Sequence, residues 1–183
     1  SAADAVMAVE AAAEALRTWS ETGPGERRAL LLKAADKLEA KLPQFIDAVA
    51  AETGATGMWA GFNVMLAAGM IREAASLTTQ VAGEVIPSDV PGSLAMGIRQ
   101  PAGVVLGIAP WNAPIILGVR AICVPLACGN TVILKGSENC PRTHQLIVES
   151  FQDAGFPPGV LNYITNAPAD AGAVVEAMVA HPA

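Results

Sequence analysis

The stretch RQPAGVVLGIAPWNAP, residues 99–114, decides the fold of this chain. Its apolar part, residues 103–108, is rich in valine and isoleucine and lies between prolines that a helix does not readily cross, so it predicts a buried strand. A short loop with Trp111 and Asn112 follows, and an apolar segment starting at Pro114 predicts a helix. Open α/β sheets bind ligands where a strand leads into such a loop, which makes Asn112 the first candidate site residue.

Two more strand–helix units follow the first. The strands are predicted at residues 131–135 and 160–165, and the three helices at 114–128, 141–154 and 169–180. Three units with short connections predict half of a Rossmann-like parallel sheet. The Gly-x-Gly-x-x-Gly fingerprint of dinucleotide-binding folds is absent after the first strand, so that motif gives no support to a cofactor.

Helical patterns precede the sheet. Residues 4–19 carry an apolar stripe, and a second pattern begins after Pro24 with Arg27 facing outward. Pro43 divides this pattern from a third piece at 44–52. The chain is thus predicted to begin with a helical N-terminal segment at 1–82.

A stripe of large side chains follows Gly57, and such a stripe is more often protein core than ligand pocket. Its members are Met58, Trp59, Phe62, Asn63 and Leu66.

Residues 83–100 change pattern again, with Pro91-Gly92 as a turn between two extended runs. We expect a two-stranded arm whose apolar residues have little local core to cover, and therefore a role in oligomerisation. The remaining part, 101–183, then contains the three strand–helix units of half a nucleotide-binding fold.

Composition limits the classes of function. A net charge of −6 and a pI near 4.8 argue against a nucleic-acid partner. The apolar share of 52% and the mean hydropathy of +0.43 are high for a free-standing domain. Residues 103–134 contain only one charge, Arg120, but prolines and glycines divide them into short pieces, so we expect no membrane span. The N-terminus lacks the features of a signal peptide, and three cysteines without metal-ligand spacing suit the cytoplasm.

The end of the second predicted strand carries chemistry as well. Lys135 leaves the strand and is followed by Gly136, Ser137 and Glu138. A lysine beside an acid at the ligand edge of a sheet can hold the hydroxyl groups of a ribose. Alone these residues also fit a solvated strand end, but Asn112 on the neighbouring strand favours a site.

Two motifs, IAPWNAP at 108–114 and GNTVILKGSE at 129–138, resemble those of the aldehyde dehydrogenase superfamily. The interval of 23 positions between Asn112 and Lys135 also agrees with the family pattern. The resemblance covers the whole chain, and it is specific because two separate motifs agree in sequence, order and spacing. It implies NAD-dependent oxidation of an aldehyde through a cysteine hemithioacetal and thioester, in a homodimer or homotetramer.

The resemblance also assigns roles to individual residues. Asn112 donates its side-chain amide to the oxyanion that forms when a catalytic cysteine attacks the aldehyde, as a neutral donor can do without titrating. Lys135 and Glu138 bind the adenosine ribose, and Ile108 and Trp111 line the cofactor cleft. The charge of Glu138 opposes a 2′-phosphate, so NAD is expected rather than NADP.

Departures from the family pattern matter too. The catalytic cysteine and the general-base glutamate are expected beyond residue 183. The resemblance therefore implies a chain truncated at both ends, in which 1–82 is the helical N-terminal part of the cofactor domain and 101–183 the first half of the NAD-binding α/β domain. The cysteines of this chain, Cys123, Cys128 and Cys140, have no nearby base and are not expected to act as nucleophiles. Gly136 stands where the family usually has proline, a change we expect to be tolerated. Asn166 and Pro168 stand where the family often has glycines, which puts adenine contacts at that turn in doubt.

Within the family, residues 115–122 resemble those of bacterial dehydrogenases for aromatic aldehydes such as salicylaldehyde, benzaldehyde or vanillin. We therefore expect Trp59 and Arg120 to face each other across the aldehyde entrance, with Trp59 stacking on the ring and Arg120 hydrogen-bonding an ortho oxygen. Core packing of Trp59 and a structural ion pair of Arg120 remain the alternative. For the whole chain, the alternative is a non-catalytic nucleotide-binding or interaction module.

Overall fold

The computed structural model describes all residues from 1 to 183. The first half contains α1 (Ala2–Trp19), α2 (Pro24–Ala40), α3 (Leu42–Thr53), α4 (Gly57–Leu77) and the strands β1 (Glu84–Ile86) and β2 (Ala95–Gly97). The second half contains β3 (Val104–Ile108), α5 (Pro114–Ala127), β4 (Thr131–Lys135), α6 (Pro141–Asp153), β5 (Leu161–Ile164) and α7 (Ala171–Val179), with a 3₁₀ helix at Pro168–Asp170. This order confirms the predicted α/β fold class.

The parallel sheet has the strand order β3-β4-β5. Ile108 pairs with Lys135, and Lys135 pairs with Ile164, so the last residues of the three strands lie side by side. The half of a Rossmann-like sheet predicted from the strand–helix rhythm is confirmed. The loops after the three strands therefore begin at the same edge of the sheet.

Helices cover both faces of this sheet. All five residues of β4 are buried, and alternate side chains point to opposite faces. Val132 and Leu134 pack in the larger core with α5 and α6, whereas Ile133 packs in a smaller core with α1 and α7. The central strand is thus enclosed on both sides, which explains its continuous apolar sequence.

The helix α1 closes one face of the sheet with small side chains. Ala5, Val9 and Ala12 are buried at helical spacing, as predicted, so the helix axis lies close to the strands. The hydroxyl of Thr131 at the start of β4 donates to the carbonyl oxygen of Ala12 at 2.9 Å. This hydrogen bond satisfies a buried polar group and connects helix and sheet.

The helices α2, α3 and α4 form a layer outside α5 and α6. Glu52, near the end of α3, connects this layer to α6. Its carboxylate accepts hydrogen bonds from the backbone N–H groups of Arg142 and Thr143 at 2.6 and 2.9 Å, and from the Thr143 hydroxyl at 2.6 Å. The first turn of α6 is therefore capped by another helix.

The expectation that Arg27 faces outward is wrong. Its side chain is only 9% exposed, because the guanidinium donates from Nε to the carbonyl oxygen of Ala127 at 3.0 Å and from Nη1 to that of Thr22. Ala127 is the last residue of α5, where carbonyl groups lack partners within the helix and a positive charge is favourable.

The expectation that the large stripe of α4 forms core is also wrong. Met58 is 86% exposed, and Trp59, Phe62, Met65 and Leu66 are exposed as well. The buried face consists of smaller residues, which allow α4 to lie close to α2 and α5. These residues are Ala60, Val64, Ala67, Ala68, Ile71, Ala74 and Ala75, together with Asn63.

Two smaller features differ little from expectation. The helix α3 begins at Leu42 rather than residue 44, because Pro43 occupies its first turn, where no N–H group is needed. The strands β1 and β2 form the antiparallel hairpin predicted for the arm, and Gly92 adopts a φ of +77° in its turn.

No helix in the structure combines the length and the apolar character that crossing a membrane requires.

Candidate active site

Three loops converge at the carboxyl edge of the parallel sheet. The backbone N–H of Ala109 donates to the carbonyl oxygen of Lys135 at 3.1 Å, and the N–H of Gly136 donates to that of Ile164 at 3.0 Å. These two hydrogen bonds extend the pairing of neighbouring strands by one residue, so the three loops move apart only after Ala109 and Gly136. Asn112, Glu138 and Asn166 stand on the three loops.

The first loop presents its polar residues to solvent. Asn112 is exposed, and its side-chain amide makes no hydrogen bond within the chain. Trp111 is 53% exposed and Ile108 is exposed as well. The helix α5 begins directly afterwards at Pro114, and no side chain caps its N-terminus. Asn112 is therefore free to donate to a ligand beside a helix N-terminus, where negative charge is favourable.

The second loop contains a buried ion pair. Lys135 is only 5% exposed, and its Nζ donates to Oε1 of Glu138. Hydrogen bonding from Lys135 is the largest cause that lowers the pKa of Glu138 to about 2, so the carboxylate is charged at neutral pH. Sequence analysis placed these two residues at one site, and the structure brings them together.

The third loop adds a residue to this ion pair. Asn166 donates from Nδ2 to Oε1 of Glu138 at 3.0 Å and to the carbonyl oxygen of Ala167 at 2.8 Å. Its Oδ1 is buried and has no hydrogen-bond partner. Sequence analysis treated Asn166 only as a departure from the family pattern. Its position directly after the third strand, in line with the end of the second, is the signal that would have identified it.

A buried histidine supports the second loop from behind. The backbone N–H of Ser137 donates to Nδ1 of His144 at 3.1 Å. Burial lowers the pKa of His144 to about 4, so the ring is neutral and its proton is on Nε2 at neutral pH. That Nε2 has no hydrogen-bond partner within ordinary geometry. The ring therefore fixes the backbone that leads into Glu138.

The glycine of this loop lies against an aromatic side chain. A Cβ added at Gly136 would be 2.8 Å from the hydroxyl oxygen of Tyr163. Tyr163 is held in place because its hydroxyl donates to the carbonyl oxygen of Pro141 at 2.7 Å. Gly136 stands where the family usually has proline, and in this chain the nearby Tyr163 ring leaves no room for a side chain at this position.

The two residues expected at the substrate entrance are both on the surface. Trp59 is 39% exposed and stacks on Phe62, with ring centroids 5.6 Å apart. Both rings line an open apolar depression of about 690 Å³. The alternative of a structural ion pair is wrong for Arg120, which is exposed on α5 and belongs to no ion pair. Their mutual arrangement across an entrance stays a prediction.

Cys123 and Cys140 lack the surroundings of an activated thiolate. Cys123 and Cys140 are buried, and burial raises the pKa of each thiol to about 11. The Sγ of Cys140 lies 3.7 Å from Nδ1 of His144, but that nitrogen already accepts from the Ser137 N–H. A base therefore does lie close to Cys140, contrary to the expectation that none is nearby, but its lone pair is already used by the Ser137 N–H.

Known proteins share this arrangement of helices and strands along the whole chain. A sequence profile described as the aldehyde dehydrogenase family matches residues 1–183. A vanillin dehydrogenase of Pseudomonas fluorescens is 63% identical over 180 residues, which cover 98% of this chain and 37% of that protein. A salicylaldehyde dehydrogenase of Pseudomonas sp. strain C18 is 52% identical over 176 residues, which cover 96% and 36%.

Solved structures agree with these sequence relatives. A salicylaldehyde dehydrogenase from Pseudomonas putida G7, complexed with salicylaldehyde, matches with a TM-score of 0.97 at 50% identity and covers 100% of this chain and 38% of its own. An NAD-dependent benzaldehyde dehydrogenase from Corynebacterium glutamicum matches with a TM-score of 0.93 at 33% identity, covering 99% and 38%. The chain spans a little over a third of the length of these relatives. By sequence and by structure, the chain belongs to the aldehyde dehydrogenase family.

Proposed function

We propose that this chain is the cofactor-binding part of an enzyme that oxidises an aromatic aldehyde to the carboxylic acid with NAD. The convergence of Lys135, Glu138 and Asn166 at the sheet edge that also carries Asn112 is the observation that supports this proposal most strongly. The names of the relatives, vanillin and salicylaldehyde dehydrogenases, support an aromatic substrate. The nucleophilic cysteine and the general-base glutamate would be supplied by residues outside these 183.

The loop after β4 fits the adenosine ribose. Both protein donors to Glu138 reach Oε1, which leaves Oε2 as an acceptor for a ribose hydroxyl. The orphaned Oδ1 of Asn166 is a second acceptor with an unmet hydrogen bond. Ile108 and Trp111, both exposed at the same edge, would line the cleft for the rest of the cofactor. A 2′-phosphate would meet the charge of Glu138, so NAD is preferred to NADP.

Asn112 would stabilise the charge that develops on the substrate. When a thiolate adds to the aldehyde, the carbonyl oxygen becomes the oxyanion of a hemithioacetal, and a neutral amide donor lowers its energy without changing protonation. Bound NAD supplies the acceptor for the hydride that leaves the substrate carbon, and water then hydrolyses the thioester. The exposed, unpaired amide of Asn112 suits this role because it gives up no protein hydrogen bond to bind the oxyanion.

The substrate would enter past Trp59 and Arg120. Trp59 offers a stacking surface that is already presented to solvent beside Phe62. Arg120 is exposed on α5, eight residues after Asn112, and belongs to no ion pair, so it is available to an oxygen substituent on the ring. The arm at 83–100 would bind a second subunit in a cytoplasmic homodimer or homotetramer, because nearly all of its apolar side chains are exposed.

Kinetics with the complete protein that contains this chain test the proposal. We expect kcat/KM for salicylaldehyde, vanillin or benzaldehyde with NAD to exceed that for propanal with NAD by at least tenfold. We also expect NAD to exceed NADP for one aldehyde. Equal rates on aromatic and short aliphatic aldehydes would contradict the substrate class, whereas a preference for NADP would contradict the role of Glu138.

A further inference from the structure

We propose that Asn166 is a specificity-determining residue of the cofactor site, because it holds the Glu138 carboxylate in the orientation that accepts a ribose hydroxyl and disfavours a 2′-phosphate. This inference rests on the proposed function, in particular on NAD binding at the edge of the parallel sheet. Asn166 stands on the loop after β5, 28 positions from Glu138, and reaches it only because β4 and β5 are neighbours.

The orientation of the Asn166 amide follows from the chemistry of its neighbour. A charged carboxylate only accepts hydrogen bonds, so the group that faces Glu138 Oε1 at 3.0 Å has to be the Nδ2 donor. The same Nδ2 donates to the carbonyl oxygen of Ala167 at 2.8 Å. The Oδ1 must then point away from the carboxylate, and it is buried without a partner. Asn166 therefore contributes a fixed acceptor in addition to its bond with Glu138.

Two donors on one carboxylate oxygen determine how the other oxygen is presented. Lys135 and Asn166 both donate to Oε1 of Glu138, and Oε2 has no partner in the chain. Lys135 alone would allow the carboxylate to rotate about its bond to the ammonium. The second hydrogen bond, from Asn166 on the loop after β5, restricts this rotation. The negatively charged Oε2 is therefore held in one direction, where it can accept a hydrogen bond from a ligand. A ribose 2′-hydroxyl can donate to it, whereas a 2′-phosphate has no proton to donate when ionised and is repelled.

The consequence is a difference between two ligands that separates this role from a purely structural one. Losing a structural side chain lowers the stability of the fold and weakens all ligands alike. Losing Asn166 should weaken a ligand with a free 2′-hydroxyl and leave a 2′-phosphorylated ligand unaffected or slightly favoured, since the mobile carboxylate can move away from the phosphate. The ratio of the two affinities is therefore the quantity to measure.

The experiment is calorimetric binding of AMP and of 2′,5′-ADP to the complete protein, which needs no turnover. For Asn166→Ala we expect the Kd of AMP to rise about three- to tenfold, the loss typical of one ordinary hydrogen bond, and that of 2′,5′-ADP to change less than about twofold. In steady state, the KM for NAD should rise in the same proportion, with kcat within about twofold. Equal changes for both nucleotides, or none, would overturn the proposal.

Asn162→Ala is the matched control. Asn162 lies on β5, four positions before Asn166, and is half-buried. Its one side-chain hydrogen bond runs from Nδ2 to the carbonyl oxygen of Gly159 at 2.7 Å, at the opposite end of the strand from Asn166. We expect it to leave the ratio of AMP to 2′,5′-ADP affinity unchanged. A change in that ratio as large as the one in Asn166→Ala would mean that any amide lost on or near β5 has this effect, and would overturn the inference.

A second variant guards against a misfolded protein. Asn166→Asp keeps the size of the side chain but places a carboxylate against Glu138, so AMP affinity should fall at least as far as in Asn166→Ala. Unchanged AMP affinity in a folded Asn166→Asp protein would overturn the proposal. A wild-type protein that binds AMP but oxidises no aldehyde would refute the proposed activity, and the binding comparison would still decide the role of Asn166.

Discussion

Replacing Gly136 by alanine should destabilise the domain strongly for a single methyl group. The φ of Gly136 is not in the left-handed region, so the backbone itself would accept alanine. The added Cβ, however, would lie 2.8 Å from the hydroxyl oxygen and 2.9 Å from Cε2 of Tyr163, and 3.2 Å from the Cβ of His144. The ring cannot simply swing away, because its hydroxyl donates to the carbonyl oxygen of Pro141.

The magnitude follows from these contacts. Overpacking a filled site costs about 1–3 kcal/mol, and losing the Tyr163 hydrogen bond adds about 1 kcal/mol, so we expect a total of about 2–4 kcal/mol. If residues 1–183 unfold as one unit, that corresponds to a decrease in Tm of roughly 10 °C, and to a smaller decrease if a longer chain unfolds together with them. The measurement is calorimetric unfolding of the complete protein, together with Gly172→Ala as a control. Gly172 is in α7 with no atom within 4 Å of an added Cβ, so alanine should be neutral or stabilising there.

A double-mutant cycle tests the cause as well as the size. If the clash with Tyr163 is responsible, Gly136→Ala should cost much less in a Tyr163→Leu background, with a coupling energy of at least about 1 kcal/mol. The reasoning would be refuted if the free energy of unfolding of Gly136→Ala lay within about 0.5 kcal/mol of the wild-type value, the usual range for substitutions of exposed residues. An equal cost in both backgrounds would refute it as well.

Four further outcomes are expected for the complete protein. Asn112→Ala should leave the Kd of NAD near the wild-type value and lower kcat about 10²- to 10³-fold; a kcat within threefold would remove it from the mechanism. Glu138→Gln should narrow the preference for NAD over NADP in kcat/KM, and an unchanged ratio would contradict the ribose assignment. Trp59→Ala and Arg120→Leu should lower kcat/KM selectively for aromatic aldehydes, whereas equal loss on propanal would indicate structural roles. In the folded protein the pKa of His144 is lowered to about 4, below the value near 6.5 of the unfolded chain. Its contribution to the free energy of unfolding is therefore complete above pH 6.5 and is lost as the pH falls towards 4. Urea titrations should show that the free energy of unfolding decreases between pH 6.5 and pH 4, and that it decreases less in His144→Gln. An equal decrease in both proteins would exclude His144 as its source.

The elements of the sheet could be predicted within a residue or two from the sequence. Proline and glycine residues mark the beginning and end of the strands β3 and β4. A sheet covered by helices on both faces needs no alternation of apolar and polar residues, so a continuous apolar run was enough to identify its strands. Lys135 and Glu138 were identifiable because they are three positions apart in one turn. These features are local, and local sequence patterns report them directly.

Features that depend on packing between distant elements could not be predicted in the same way. Side-chain size did not reveal which face of α4 is buried, because close helix packing there selects alanine over the large residues on the other side. Arg27 is buried by carbonyl groups that lie at the end of another helix. Asn166 meets Glu138 only through the order and register of β4 and β5, which neither residue's own neighbourhood specifies.

The cap that Glu52 provides has a further consequence for anion binding. The N–H groups of Arg142 and Thr143, which at a free helix N-terminus would attract a phosphate, are already occupied by a carboxylate of the same chain. At α5, by contrast, the N–H groups of Ile115 and Ile116 have no acceptor in the chain. Of these two helices, α6 thus carries an internal competitor for negatively charged ligands. If the proposed function is correct, negative charge at this edge is expected to be more favourable at the N-terminus of α5, beside Asn112, than at α6.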